Sequence, residues 1–476
     1  MGEEITRSHF HKRDFSAFEA RLREETALLQ EWFNSDAYSR LHGMGGFEVE
    51  CWLVEPEGAP APVNDQMLER LNSPLVVPEL SRFNVEINTP PRLLQGDALR
   101  RMHDNFARLW RKCDTSARTL NARLVMIGIL PTVGEHALSL DNISKKTRYR
   151  ALNEQVLRLR KGAPIELNIQ GRESLHTFHS DVMLEAGATS FQIHLQVSQG
   201  QDARFYNAAV ILSAPMVAAC ANSPYLFGKD LWDETRIPLF EQAVSICPPG
   251  EKNCPPVRVT FGEKYVQQSL MECFRENLED HAVLMPELCD DSPAKLTHLR
   301  LHNGTIWRWN RPLVGFDDNG TPHLRIEHRV MPAGPSLIDT IANAALFFGL
   351  VQALATDADP PESRLTFEQA RANFYTAAKH GLRARISWLA GREVPIRDLL
   401  QHDLLPRARR GLQALEISPE DIDLYLGVIA ARIKLGRNGA EWQRRYVNKH
   451  GAKMDALLAA YAANQLHGAP VHEWDV

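Results

Sequence analysis

The sequence predicts an α+β protein built on a largely antiparallel sheet, packed by helices and polar on one face. Three observations carry this expectation. Segments in which apolar and polar residues alternate recur along the first two thirds of the chain. Some of these neighbours are joined by short turns, with Asn303-Gly304 as a hairpin signal. Between and after them, apolar residues return at helical spacing.

In chain order, helical periodicity runs from about Phe15 to Leu41 and returns at Asp97–Asn121, Thr147–Arg160 and Arg204–Asn222. Strand patterns occupy Gly46–Val54, Arg82–Asn88, Leu124–Ile129, Thr189–Val197, Thr297–His302, Thr305–Arg311 and Leu324–Met331. Ser336 is placed to cap the helix that follows Pro335. That helix, about Leu337 to Ala355, is the most apolar stretch. It carries Asp339, Asn343 and Gln352, so it reads as a buried core helix and not a membrane span. Ser418-Pro419-Glu420-Asp421 marks a helix start, with a capping serine and proline at the first helical position. From about Leu365 onward successive helices are predicted, without strands. Cys247–Pro256 and Phe316–Pro322 read as surface loops. The expected division is a catalytic α+β domain over residues 1–360 and a helical C-terminal region over 361–476 packed on it.

Bulk properties narrow the function. The chain has 476 residues, 44% apolar and 24% charged, so a globular core can form. A net charge of −5 lacks the basic footprint of a dedicated nucleic-acid binder. The seven cysteines show no CxxC spacing and read as free thiols of a reducing cytoplasm. The start, Met-Gly-Glu-Glu-Ile, lacks the apolar run of a signal peptide. The expectation is a cytoplasmic protein with no nucleic-acid or membrane partner. A sheet edge or the C-terminal helices would serve to pair subunits in a homo-oligomer.

The polar strand faces are unusual. Phe47, Val49, Cys51 and Leu53 oppose Glu48 and Glu50; Val85 and Ile87 oppose Asn84, Glu86 and Asn88. Phe191, Ile193, Leu195 and Val197 oppose Ser190, Gln192, His194 and Gln196. Leu324, Ile326 and Val330 oppose Arg325, Glu327 and Arg329. A merely wet antiparallel face explains any one strand. Across four strands, carboxylates this dense repel one another unless cations intervene. Oxygen ligands with one imidazole suit Mg²⁺, or Mn²⁺ as the alternative. Glu79 lies seven residues before Glu86, so both reach one face only if the chain bends between them, at Ser81 and Arg82. His176-x-x-His179 lacks a third zinc ligand and reads as a loop feature. Gly43-x-Gly45-Gly46 precedes a strand, so it is not a dinucleotide fingerprint, and no Walker A sequence occurs.

These residues resemble the glutamate–cysteine ligase superfamily, in its carboxylate–amine ligase branch, whose catalytic domain is similar to that of glutamine synthetase. Gly46-Phe47-Glu48-Val49-Glu50 resembles the family's opening Gly-x-Glu-x-Glu strand. Glu79 and Glu86, in Glu-Leu-Ser-Arg-Phe-Asn-Val-Glu-Ile-Asn-Thr-Pro, resemble its next two glutamates. Ser190-Phe191-Gln192-Ile193-His194 resembles the strand that supplies a histidine, and Arg325-Ile326-Glu327-His328-Arg329 the late Glu-x-Arg strand. Ala221-Asn222-Ser223-Pro224, Asn438-Gly439-Ala440 and Gln443-Arg444 resemble further segments of that branch. Pro332 stands where the family usually has an aspartate.

The resemblance implies an ATP-dependent ligase. Glu48, Glu50, Glu79, Glu86, His194 and Glu327 would hold Mg²⁺ around the ATP phosphates. Phosphoryl transfer to a carboxylate, the γ-carboxylate of glutamate being expected, would precede attack by an amine such as cysteine. Arg300 and Arg329 are the candidates for contact with phosphate or acyl phosphate. Arg236 is the candidate for a substrate carboxylate. Trp307 and Trp309 suit either adenine stacking or the core. Rival expectations are a phosphagen-type guanidino kinase and a non-catalytic binding protein on the same fold.

Overall fold

Alternate apolar residues bury one side of the long strand Met44–Val54 (β1), and the rest of the sheet assembles on its two edges. The computed structural model describes residues 4–35, 37–41, 43–248, 250–251, 253–389 and 391–476. Met1–Glu3, part of the start read for a signal peptide, lie outside the described residues. The other main strands are Val76–Pro78 (β2), Asn84–Asn88 (β3), Ser190–Val197 (β4), Asn310–Phe316 (β5) and Pro322–Pro332 (β6). Their order is β5-β6-β4-β1-β3-β2, and every neighbouring pair is antiparallel. The fold is thus α+β with a mainly antiparallel sheet, as the sequence predicts.

Register is what positions the site. Glu50 pairs with Glu86, Glu48 with Gln192, and His194 with both Gly46 and Glu327, while Arg311 lies opposite Glu327. Directly paired residues point to the same side of a sheet, so one polar row crosses five strands. The opposite face is the core. Phe47 meets Phe106 at 5.5 Å and Phe191 at 5.3 Å between ring centroids. His328 stacks on Phe347 at 4.2 Å and is pushed down to about 3 by burial, so this imidazole is a neutral core residue.

The helices Asp202–Cys220 and Leu337–Ala355 are long and apolar enough to cross a membrane, yet 89% and 78% of their apolar windows are buried within the fold. They are core helices. Ser336 caps the second, its hydroxyl accepting from the Asp339 amide at 3.3 Å. Gly349 of that helix faces Gly411 of the helix Leu405–Ala414 so closely that a Cβ on Gly411 would overlap the Gly349 carbonyl. Arg432 ties Pro419–Leu435 to the same core through Asp339 at 2.7 Å. Pro419 opens that helix, although the Ser418 hydroxyl makes no capping bond.

Several local expectations are corrected. Thr297–His302 is not a strand but the start of the helix Thr297–Asn303, and Asn303-Gly304 ends that helix instead of turning a hairpin. Alternating Thr297, Leu299 and Leu301 fit either period, and Leu296, at φ 51°, turns the chain into the helix. The hairpin lies downstream, where residues 317–321 join β5 to β6. Thr305–Arg311 divides into Trp307–Arg308, paired in parallel with Val259–Thr260, and the start of β5. Leu124–Ile129 contracts to Arg123–Val125, and the first helix runs over Lys12–Phe33. The C-terminal region contains a hairpin, Arg385–Trp388 with Arg392–Pro395. His176 and His179 lie on the strand Ser174–His179, and His176 is spent on Glu166 at 2.9 Å. Cys247 and Cys254, expected as free thiols, form a disulfide, because their loop folds back to a Cα separation of 5.3 Å.

Candidate active site

Two clusters of ligand-type atoms sit side by side on the polar face, each with all its atoms within 4.8 Å of one another. The first joins Glu48 of β1, His194 of β4 and Glu327 of β6. His194 Nε2 lies 3.0 Å from Glu48 and 3.8 Å from Glu327. Both ring nitrogens are buried without a directed hydrogen bond. The second joins Glu50 of β1, Glu86 of β3 and Glu79. Glu79 arrives through the bend expected at Ser81 and Arg82. β2 ends at Pro78, and Asn64 donates to the carbonyls of Ser81 and Asn84 at 3.0 Å each, holding the turn that leads into β3.

The two clusters differ in charge compensation. Burial alone would raise the Glu327 carboxyl, but Arg311 and Arg329 hold it well below the carboxylate range. Arg311 grips it with two nitrogens, at 2.8 and 2.9 Å, and Arg329 adds a contact at 2.9 Å. Burial likewise opposes ionisation of Glu48, yet the His194 imidazole brings it down to about 2. In the second cluster burial wins. It raises Glu50 and Glu79, the latter well above the usual value with Glu86 adding repulsion, and carries Glu86 up to about 7 with help from Glu48 and Glu50. Glu50 accepts from the Ser190 amide at 2.6 Å, the Ser190 hydroxyl at 2.8 Å and Gln192 at 2.9 Å. Among the described residues no arginine or lysine forms an ion pair with Glu50 or Glu79, and Glu79 Oε1 is buried without a hydrogen bond.

Two adjoining clefts open over the first cluster. One, of about 170 Å³, is lined by Glu48, His194, Arg300, Arg311, Arg325 and Glu327. The other, of about 770 Å³, shares Glu48, His194, Arg300 and Arg325 and extends along the hairpin to Phe316 and Asp317. Arg300, on the helix that replaces the expected strand, therefore reaches the site, with its guanidinium 5.9 Å from the Phe316 ring. Arg329 is buried and held by Glu327 and Gln192. Arg236 lies deeper, outside both clefts. It contacts Glu234 at 3.2 Å and donates to the carbonyls of Arg329 and Val330 at 3.2 and 2.6 Å, over the Trp309 ring.

Arg311 and Arg325 were not singled out from the sequence. Arg325 shares its strand face with Glu327, so alternation contained the signal. Arg311 could be found only with the β5–β6 register in hand. The segments matching the branch-specific motifs serve as supports. Asn222 and Ser223 hold Glu234, the partner of Arg236, at 2.9 and 2.7 Å, and Gln443 donates to Asn222 at 3.0 Å. A Cβ on Gly439 would overlap the Asn222 side chain. Pro332, at the usual aspartate position, is the buried last residue of β6, paired with Ser190.

Residues 44–460 match the profile of Glutamate-cysteine ligase family 2. The chain belongs to that family. Among solved structures it is similar to the glutamate–cysteine ligase of Francisella tularensis, determined in complex with AMP. That match has a TM-score of 0.55 and 11% identity and covers 90% of each chain. It is also similar to a bifunctional glutathione synthetase from Pasteurella multocida, at a TM-score of 0.50 and 13% identity, over 94% of this chain and 55% of that one. No curated protein matches it. Family membership over most of its length makes this chain an ATP-dependent amide ligase, which disfavours both the kinase and the non-catalytic expectation.

Proposed function

We propose that the protein joins the γ-carboxylate of glutamate to an amine, with cysteine the first acceptor to test, through an acyl phosphate formed from ATP. The observation that carries this reading is the pair of carboxylate clusters beside arginine-lined clefts. The donor set fits divalent cations. It is rich in hard oxygen ligands with one imidazole, and Glu79 Oε1 and the His194 ring nitrogens are buried without a hydrogen bond. Glu48, His194 and Glu327 would hold one Mg²⁺ or Mn²⁺, and Glu50, Glu79 and Glu86 another. When bound, such ions neutralise phosphate charge and orient the transferring group.

The chain's own side chains supply the rest. Arg300 and Arg325 present guanidiniums to the clefts, where a triphosphate needs cations. Arg329, braced by Glu327 and Gln192, stands between the clusters, suited to the acyl phosphate. Arg311 keeps Glu327 ionised. Arg236 contributes from behind, fixing the β6 backbone at Arg329 and Val330. In this reading residues 1–360 carry the chemistry, and residues 361–476 brace it through contacts such as Gln443 with Asn222.

A phosphate-release screen with Mg²⁺-ATP over carboxylate and amine pairs, beginning with glutamate and cysteine, tests this. The expected result is ADP, phosphate and an amide in equal amounts, all requiring the amine. ADP with a stable phosphorylated product in the absence of any amine would overturn the ligase reading in favour of a kinase.

A further inference from the structure

The N-terminal helix Lys12–Phe33 precedes residues 44–460, the span that matches the family profile. Its inward stripe is Phe18, Leu22, Glu25, Leu29 and Trp32, at the spacing of one helix face. Phe18, Leu22 and Leu29 are buried, as an apolar stripe requires. Glu25 is fully buried among them, where an apolar residue would dock the helix without enclosing a charge.

The carboxylate is spent on one place. Glu25 Oε1 accepts from His298 Nδ1 at 2.6 Å, and Oε2 accepts from the Leu299 amide at 2.8 Å. The Cys289 amide donates to His298 Nε2 at 3.3 Å, so the ring proton on Nδ1 faces Glu25. His298 and Leu299 form the first turn of Thr297–Asn303, the helix that carries Arg300 into both clefts. The residue before that helix, Leu296, carries no side-chain oxygen to cap it. Glu25 supplies the acceptor from another element. Two turns further on, Trp32 packs edge-on against Phe316 at 6.3 Å between ring centroids, and the Arg300 guanidinium lies 5.9 Å from that same ring. One helix thus holds the backbone from which Arg300 projects and the ring beside its guanidinium.

We propose that Glu25 and Trp32 are positioning residues for the nucleotide, fixing Arg300 over the first cluster where a triphosphate needs a cation. This rests on the reading of the clefts as the ATP site, and adds to that site an element ahead of the family profile.

The test is a double-mutant cycle on ATP binding, read by titration calorimetry on the full chain in Mg²⁺ buffer. Arg300→Met is expected to weaken ATP by on the order of ten- to a hundredfold, the range of a hydrogen bond to a charged group. Glu25→Gln keeps the shape, but its amide nitrogen is a donor, so it accepts from only one of its two partners. It should weaken ATP by about three- to tenfold in the wild type and by less than about twofold in the Arg300→Met background. Trp32→Leu leaves the Glu25 contacts in place and should show the same dependence on Arg300, so the cycle stands even where Glu25→Gln folds poorly. A purely structural role would lower the melting temperature while leaving ATP affinity unchanged, or would weaken ATP by one factor in both backgrounds. Either result would overturn the proposal while sparing Arg300 as an ATP contact. An Arg300→Met protein that binds ATP like the wild type would overturn both. Coupling that persists in a protein forming no amide with any amine would count against the ligase reading and leave this one standing.

Discussion

Glu86→Gln in the metal-free protein is expected to stabilise the fold as pH rises, while Mg²⁺ reverses the order. Glu86 is fully buried, and its carboxyl is raised from 4.5 to about 7 by burial and by Glu48 and Glu50. Between those two values the folded state holds a proton that the unfolded chain has released. Stability therefore falls as pH rises through this window, and the loss is complete above the folded value. A shift of that size corresponds to about 3 kcal/mol at ~1.4 kcal/mol per pH unit. Glutamine is nearly isosteric and cannot ionise, so the variant escapes the loss. Urea unfolding in EDTA at pH 5 and pH 8 reads the difference. The variant should lie close to wild type at pH 5 and exceed it by up to about 3 kcal/mol at pH 8. Adding Mg²⁺ at pH 8 should raise wild-type stability and move the variant much less, since a bound ion stabilises only the state that holds it. A variant less stable than wild type at pH 8 in EDTA, or a gap that does not widen with pH, would refute the idea that burial and neighbouring carboxylates hold a proton on Glu86.

Glu50→Gln should abolish Mg²⁺-dependent ATP turnover, by on the order of a hundredfold or more as for other charge-stabilising groups, with little change in circular dichroism; turnover that survives would count against the second cluster as a metal site. Arg311→Met should destabilise the protein by about 3–5 kcal/mol, because it leaves Glu327 buried with half its compensation gone, and denaturant titration at pH 7 checks this. Gly411→Ala should cost about 1–3 kcal/mol by overpacking against Gly349, visible as a lower melting temperature with unaltered KM values.

Much of the site was legible because strand alternation is local. Glu48 with Glu50, and Glu327 with Arg329, share faces by counting residues, and Glu86 and His194 follow from their own strands. Even Glu79 was reachable, since its odd interval from Glu86 demanded a bend near Ser81. What alternation cannot give is register between strands. Arg311 lies opposite Glu327 only through a hairpin whose turn sits at residues 317–321, and the expected turn at Asn303-Gly304 was misplaced. Arg300 was assigned to the site on a strand and reaches it from a helix, because a six-residue alternation of Thr297, Leu299 and Leu301 fits both periods. Arg236 shows the opposite limit, for a guanidinium suited to a carboxylate ligand is equally suited to two backbone carbonyls.

The contrast between the two clusters has a chemical consequence. Glu48 is held ionised beside His194, and Glu327 by Arg311 and Arg329, so the carboxylates of the first cluster are already charged near neutrality. For Glu50, Glu79 and Glu86 burial outweighs the groups that favour ionisation, so their site must shed protons before it can accept a cation. Ion binding at the second cluster therefore tightens as pH passes through about 7. Arg329 connects the two, pairing with Glu327 directly while its charge favours ionisation of Glu50. A phosphate drawn to Arg329 would offset that favour and an added cation would restore it, so nucleotide and the second ion should bind cooperatively. Titrating Mg²⁺ with and without ADP at pH 6.5 and 8 reads this coupling. Equal Mg²⁺ affinity in all four conditions would show that the two clusters act independently.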